Sequence, residues 1–197
     1  MKRFFLYAVA ISALCSSCET EDEAFATETN NQTNTLHHAK GVEANDYQMY
    51  QSILNSFEYN TQQTYQENLL LFEAHVNRQM LNYVPHETYK YEKINSEQVL
   101  VLQQTGSDFI EQLAYTKQTK QAIYAIIGNQ FNSDMVQLIT NESEQRLIET
   151  LLALHSNVNG NDDDLLNGKR NIAFAYGAQY SFTQAVLYAG AIELLAK

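Results

Sequence analysis

The chain has 197 residues, with 23 acidic against 12 basic side chains and a formal net charge of −11 at pH 7. This acidic excess disfavours nucleic-acid binding, which needs clustered lysine and arginine on the phosphates, and it disfavours adsorption to anionic lipid headgroups. The single proline argues against several domains joined by stiff linkers. Residues 45–197 are enough for one domain with a substantial core.

The N-terminal segment, residues 1–17, is typical of a signal peptide. Lys2 and Arg3 are followed by an almost wholly apolar run over residues 4–14. That run is too short to cross about 30 Å of hydrocarbon, which takes about 20 apolar residues. It has the length of the apolar region of a signal peptide. We therefore expect the rest of the chain to lie outside the cytoplasm.

The two cysteines, Cys15 and Cys18, lie at the end of this run. A structural zinc site needs four ligands, and a disulfide across so small a loop would stabilise little. A thioredoxin-like pair would open a helix after a buried strand. The motif Ser16-Ser17-Cys18 resembles the lipobox of bacterial lipoproteins, although Cys15 stands where leucine or valine is usual.

This resemblance implies that Cys18 carries acyl chains such as palmitate and becomes the N-terminus of the mature protein. Cys15 would then be removed with the signal peptide. Two or three acyl chains hold a protein firmly, because each buried methylene contributes about 0.8 kcal/mol. The predicted membrane attachment is therefore the covalent lipid on Cys18. An ordinary cleaved signal peptide is the alternative.

Residues 18–44 are polar and acidic and have no periodic apolar pattern, which is typical of a disordered tether. A flexible chain of this length has a root-mean-square span of roughly 30 Å. The acids directly after Cys18 resemble signals that send lipoproteins to the outer face in some outer-membrane bacteria. These acids are Glu19, Glu21, Asp22 and Glu23. A plain solvated spacer is the alternative.

Residues 46–84 carry apolar side chains at steps of three and four, as one face of a helix requires. Asn45 or Asp46 can cap the start, and Pro85 ends the pattern. The pattern fits one unusually long helix or two helices joined near Asn60.

The next helices are predicted from capping residues. Asn95 with Gln98 forms a capping-box pattern for a short helix through Gln104. Gly106 ends that helix, and Ser107 is predicted to cap a longer one that Gly128 terminates. The longer helix would bury six apolar side chains, namely Phe109, Ile110, Leu113, Ile123, Ile126 and Ile127.

The C-terminal half is predicted to contain further helices. Ser133 would start a brief helical turn, and Asn141 with Glu144 a longer helix. The segment from Lys169 onward is apolar on most of its surface, so we expect it at the centre of a bundle. Ser181 with Gln184 divides this segment near Gly177, and three small residues would allow close helix approach, namely Ala185, Ala189 and Gly190. The predicted fold is mainly α, a single bundle of about five to seven helices.

One polar loop is a candidate for a hard cation such as Ca²⁺, which binds oxygen ligands. Its candidate ligands are Asn157, Asn159, Asn161, Asp162, Asp163 and Asp164. An EF-hand also needs glycine at its sixth position and glutamate at its twelfth, and both counting frames fail. We interpret the acids as solvated or as favourable charges at the start of the next helix.

Known catalytic motifs are missing from the sequence. It has no Glu-x-x-His pair, no HExxH, no GxSxG and no glycine-rich phosphate loop, so no catalytic residue and no cofactor are predicted. We interpret His75 and His155 as hydrogen-bonded histidines in or near the core. A hydrolase with two carboxylates brought together from separate helices remains the alternative function.

The most suggestive surface is the connection over residues 83–93. It contains three tyrosines, a histidine and two lysines, namely Tyr83, His86, Tyr89, Lys90, Tyr91 and Lys93. Loops carry recognition more often than helix interiors, and tyrosine gives rigid contact area at low entropic cost. We therefore predict a non-enzymatic binding module for an envelope protein, peptide or glycan. The alternative is that these tyrosines lie against the bundle and seal it.

Overall fold

The computed structural model describes residues 46–156 and 164–197. These residues form eight α-helices and one 3₁₀ helix and contain no strand, so the predicted mainly-α fold is confirmed. The α-helices are α1 Asp46–Asn55, α2 Tyr65–Met80, α3 Ser96–Gln104, α4 Lys117–Ile127, α5 Asp134–Gln137, α6 Glu142–Ser156, α7 Asp164–Ala178 and α8 Phe182–Leu194. The 3₁₀ helix is Ser107–Gln112. The predicted signal peptide, Cys18 and the predicted tether lie outside the described residues, as do residues 157–163.

Helix α8 is the centre of the bundle, as its apolar surface predicted. Nearly all of its residues are buried, and it packs against α1, α2, α3 and α7. Gly190 of α8 lies against Phe72 of α2, where an added Cβ would be 2.3 Å from the ring carbon Cζ. The small residue therefore sets the close approach of α2 and α8.

The apolar pattern over residues 46–84 forms two helices, α1 and α2. Thr64 and Glu67 make a full capping box at the start of α2, with the Glu67 carboxylate 2.8 Å from the Thr64 backbone nitrogen. The buried side chain of Asn68 holds the turn before it, since it accepts from Asn60 N at 2.9 Å and donates to Asn60 O at 2.9 Å.

The prediction of one helix from Ser107 to Gly128 is wrong. Ser107 begins the 3₁₀ helix without a side-chain cap, and α4 starts only after Thr116, whose hydroxyl accepts from Thr119 N. At the other end, the left-handed residue is Asn129, with φ of 55°, whereas Gly128 has φ of −82°. Asparagine tolerates this conformation because its short polar side chain can bond locally.

The other predicted caps accept hydrogen bonds as expected, with one exception. Asn95, Asn141 and Ser181 each bind backbone N–H groups at the start of α3, α6 and α8. Ser133 makes no such bond, and Asn132 accepts from Asp134 N instead. Each of these capping side chains thus accepts from N–H groups close to it in sequence. The other members of two predicted capping boxes, Glu144 and Gln184, instead bond through their side chains to residues distant in sequence.

Candidate functional site

Two tyrosines of the 83–93 segment are bonded to buried side chains of α2. The Tyr89 hydroxyl donates to Asn77 Oδ1 at 2.7 Å, and the Tyr91 hydroxyl donates to Glu73 Oε1 at 3.1 Å. Burial raises the pKa of Tyr89 to about 12, so its hydroxyl is neutral and able to donate at physiological pH. The segment is thereby fixed to α2 through side chains.

The backbone of the segment is bonded to the same two residues of α2. The side-chain amide of Asn77 accepts from Glu92 N at 2.7 Å and donates to Glu92 O at 2.8 Å. Glu73 Oε2 accepts from Ile94 N at 2.7 Å. A carboxamide has the donor and acceptor of a peptide group, so Asn77 binds residue 92 as a neighbouring strand would.

Helix α8 holds the segment from its other side. The Ser181 hydroxyl donates to the Glu92 carboxylate at 2.6 Å, and the Gln184 side-chain amide donates to Lys93 O at 3.1 Å. Gln184 is thus used between elements rather than in a capping box. Contacts on two helices make the segment rigid without regular secondary structure.

The six predicted residues differ in accessibility. Tyr83 and Tyr89 are half-buried against the bundle, whereas His86, Lys90 and Lys93 are exposed. Tyr91 is 54% exposed although its hydroxyl and the neighbouring backbone are bonded. The alternative in which the tyrosines lie against the bundle therefore fits Tyr83 and Tyr89. Tyr91 is the aromatic ring that the segment exposes to solvent.

Two exposed leucines lie on the helices that precede and follow the segment. Leu70 of α2 is 56% exposed, and Leu100 of α3 is 52% exposed. We name three exposed residues of the segment, Lys90, Tyr91 and Lys93, the Tyr91 surface.

The two buried glutamates, Glu73 and Glu144, stabilise structure in separate places. Glu144 of α6 accepts from Thr116 N at 3.3 Å, from Thr116 Oγ1 at 2.6 Å and from the Thr119 hydroxyl. These bonds place a carboxylate at the start of α4, where negative charge is favourable. Because Glu73 binds residues 91 and 94 instead, the two carboxylates do not form one site. The hydrolase alternative stays a prediction.

Both histidines in helices are hydrogen-bonded, as predicted. His75 Nε2 lies 3.0 Å from Ile53 O and 3.0 Å from Ser56 Oγ. His155 Nε2 lies 2.7 Å from Asn129 Oδ1, which ties the left-handed turn after α4 to α6. The described part of the chain has no group of three or more His, Cys, Asp or Glu that could hold an ion.

The candidate calcium loop is described only at its edge. Asp164 is the first residue of α7, which agrees with acids at the start of that helix. The remaining five candidates, Asn157, Asn159, Asn161, Asp162 and Asp163, lie outside the described residues.

A charged pair in the apolar C-terminal segment was not predicted from the sequence. Arg170 of α7 and Glu193 of α8 come together, with Arg170 Nη1 3.7 Å from Glu193 Oε2. The sequence does hold an indication of this pair, because charged residues are rare in that segment. Two apolar helices that fold back on each other bring such isolated charges together.

No protein-family model, curated protein or solved structure matches the chain. Function is therefore inferred from the geometry of the site itself. Among residues 46–156 and 164–197, no helix combines the length and apolar character that crossing a bilayer requires.

Proposed function

We propose that this chain is a lipoprotein of the bacterial cell envelope whose helical bundle binds an envelope partner, without catalysis, through the Tyr91 surface. The observation that supports this proposal is that Tyr91 is 54% exposed while its hydroxyl donates to buried Glu73. An aromatic ring fixed in this way is available for contact with a partner.

Rigidity favours binding because less conformational entropy is lost when the partner docks. Asn77 and Glu73 bind the backbone on both sides of Lys93, and Ser181 binds the side chain of Glu92. The loop does not need to be ordered by the partner.

Charge indicates the kind of partner. Lys90 and Lys93 are exposed on either side of Tyr91, while the carboxylate of Glu92 is directed to Ser181. The residues next to Tyr91 thus present two positive charges, while exposed Glu87 and half-buried Glu92 make the segment as a whole neutral on a chain of net charge −11. Complementary charge promotes correct encounter, so an envelope protein, peptide or glycan that carries acidic groups fits best.

The proposed location rests on the N-terminal sequence. Residues 1–17 have the pattern of a signal peptide, and Cys18 follows Ser16 and Ser17 as in a lipobox. The acids after Cys18 support attachment to the outer membrane. In this proposal the tether over residues 18–44 joins the lipid to the bundle.

The test is affinity purification of the tagged full chain from detergent-solubilised envelopes, with quantification of co-purified proteins and glycans. We expect Tyr91→Ser to reduce the specific partner at least tenfold, because it removes the ring that the segment presents. Tyr91→Phe keeps the ring and should retain most of the partner. Leu138→Ser is the matched control, since Leu138 is 66% exposed and lies outside the Tyr91 surface.

Equal recovery of every partner by wild type and Tyr91→Ser would exclude the Tyr91 surface as the contact. If the Leu138→Ser control also loses the partner, then removing an exposed apolar side chain elsewhere reduces recovery equally. That result would also contradict the proposal. Circular dichroism of each variant confirms that the helical fold is retained.

A further inference from the structure

A small polar cavity lies between α7 and the end of α8. Its volume is about 140 Å³, and its walls are Leu166, Asn167 and Arg170 from α7 with Glu193, Ala196 and Lys197 from the other side. Two of these side chains are cationic and one is anionic. The lining therefore offers side-chain charge of both signs.

Arg170 is a buried cation with donors that the protein uses only in part. Its residue exposure is 6%, and Nη2 donates to Leu154 O at 2.8 Å and to Asn167 Oδ1 at 2.7 Å. Nη1 is 3.7 Å from Glu193 Oε2, too long for a hydrogen bond. Nε has no acceptor among the described residues, but it also has almost no accessible surface, so a ligand in the cavity cannot reach it. The donor that remains for a ligand is Nη1.

The other polar groups of the cavity are held in place from behind. Tyr50, which is fully buried, donates its hydroxyl to Glu193 Oε2 at 2.8 Å. Asn167 Nδ2 lies 3.2 Å from His155 Nδ1, and Asn167 Oδ1 accepts from Arg170. The walls are thus positioned by residues of α1, α6 and α7, as in a preorganised binding site.

We propose that this cavity binds a small α-amino acid, with its carboxylate between Arg170 and Lys197 and its ammonium group against Glu193. A simple carboxylate would be repelled by Glu193, and a simple ammonium ion would be repelled by Arg170 and Lys197. A zwitterion places opposite charge against all three side chains.

The size of the cavity limits the amino acid. A water molecule needs about 10–15 Å³ of such volume, so the cavity holds roughly ten water-sized positions. Sites for drug-sized ligands are larger, about 300–1,000 Å³. Glycine and alanine therefore fit.

The test is isothermal titration calorimetry of the purified full chain with glycine, acetate and methylammonium as separate probes. We expect glycine to bind at least tenfold more tightly than either singly charged probe. Equal affinities for the three small probes, or no heat from glycine at millimolar concentration, would overturn the proposal.

Two variants test the assignment without disturbing the buried network. Lys197→Ala removes an exposed cation from the wall and should weaken glycine binding about tenfold, and Ala196→Phe should abolish it by filling the space. Lys117→Ala removes an exposed charge on α4 and is the matched control. Unchanged glycine affinity in both cavity variants would contradict the site.

This cavity does not depend on the proposed partner surface. Gln184, near the start of α8, contacts the 83–93 segment, whereas Glu193 lies nine residues further along α8, about 14 Å away. Loss of glycine binding in Ala196→Phe should therefore leave partner recovery unchanged. Tyr91→Ser should leave glycine affinity unchanged.

Discussion

Buried asparagine side chains replace missing backbone partners in this molecule. Asn77 bonds to both the N–H and the C=O of Glu92, and Asn68 bonds to both groups of Asn60. In each case an irregular segment gains the pair of hydrogen bonds that a neighbouring strand would supply. Two single residues of α2 thereby shape the turn before that helix and the segment that carries Tyr91.

His75 gives the chain a predicted sensitivity to acid. Its Nε2 lies 3.0 Å from Ile53 O, and Arg78 Nη2 lies 3.4 Å from its Nδ1. Burial lowers the pKa of His75, and the charge of Arg78 lowers it further, although the bond to Ile53 acts in the opposite direction. The folded chain therefore takes up a proton at lower pH than the unfolded chain.

This difference destabilises the folded state as the pH falls through about 6.5, where an unfolded histidine binds its proton. We expect the free energy of unfolding, measured with urea, to fall less between pH 7 and pH 5 in His75→Gln than in wild type. Carboxylates contribute equally to the pH dependence of the wild type and of the variant. The difference between their two slopes therefore reports His75. The exposed His86 serves as the control, and His86→Gln should match wild type. A His75→Gln slope equal to that of wild type contradicts the assignment.

At the scale of elements, α7 and α8 meet at a glycine contact that tolerates no side chain. A Cβ added to Gly177 would lie 2.3 Å from Gln184 O and 2.5 Å from Ala185 N. These are backbone atoms, so no rotamer change can relieve the overlap. The close approach lets α8 turn back directly along α7 and places Glu193 beside Arg170.

Gly177→Ala should therefore destabilise the fold by about 1–2 kcal/mol net, because overpacking costs typically 1–3 kcal/mol and the overlap with backbone atoms puts this site at the upper end. The gain in helix propensity from glycine to alanine, about 1 kcal/mol, is too small to offset the overlap. Urea unfolding measures the change.

Gly106→Ala provides the matched comparison for this substitution. Its nearest neighbour is the flexible side-chain oxygen of Asp108 at 3.1 Å, and the φ of −94° suits alanine. We expect a change within about 0.5 kcal/mol. Equal stability of the Gly177→Ala and Gly106→Ala variants would show that α7 and α8 can separate without cost.

At the scale of the whole molecule, the proposed lipid on Cys18 would decide where the bundle acts. We expect radiolabelled palmitate to enter the wild-type chain and not Cys18→Ala, because only the sulfur of Cys18 follows the lipobox-like residues. Cell fractionation should then move Cys18→Ala out of the membrane fraction.

Cys15→Ala is the control for this experiment, since Cys15 leaves with the signal peptide in the proposed processing. It should keep both label and location. Palmitate in the Cys18→Ala chain would place the anchor elsewhere, and unlabelled wild type would indicate an ordinary cleaved signal peptide.

The sequence by itself determined the helical class, the central position of α8 and most helix starts. Those features depend on near neighbours, such as the hydroxyl of Ser181 with the N–H of Gln184 or the apolar faces repeated every turn. The prediction from near neighbours was wrong between Ser107 and Thr116. There, a 3₁₀ helix and an extended Leu113 replace the start of the one long helix that was predicted.

Only the tertiary structure decided how the polar side chains are used. Glu144 and Gln184 had capping patterns, yet their side chains bond to Thr116 and Lys93, which are distant in sequence. The 83–93 segment was predicted as a recognition surface, but folding alone separated outward Tyr91 from half-buried Tyr89. Arg170 and Glu193 became a site because α7 and α8 fold together, and no local pattern encodes a contact across 23 residues of chain.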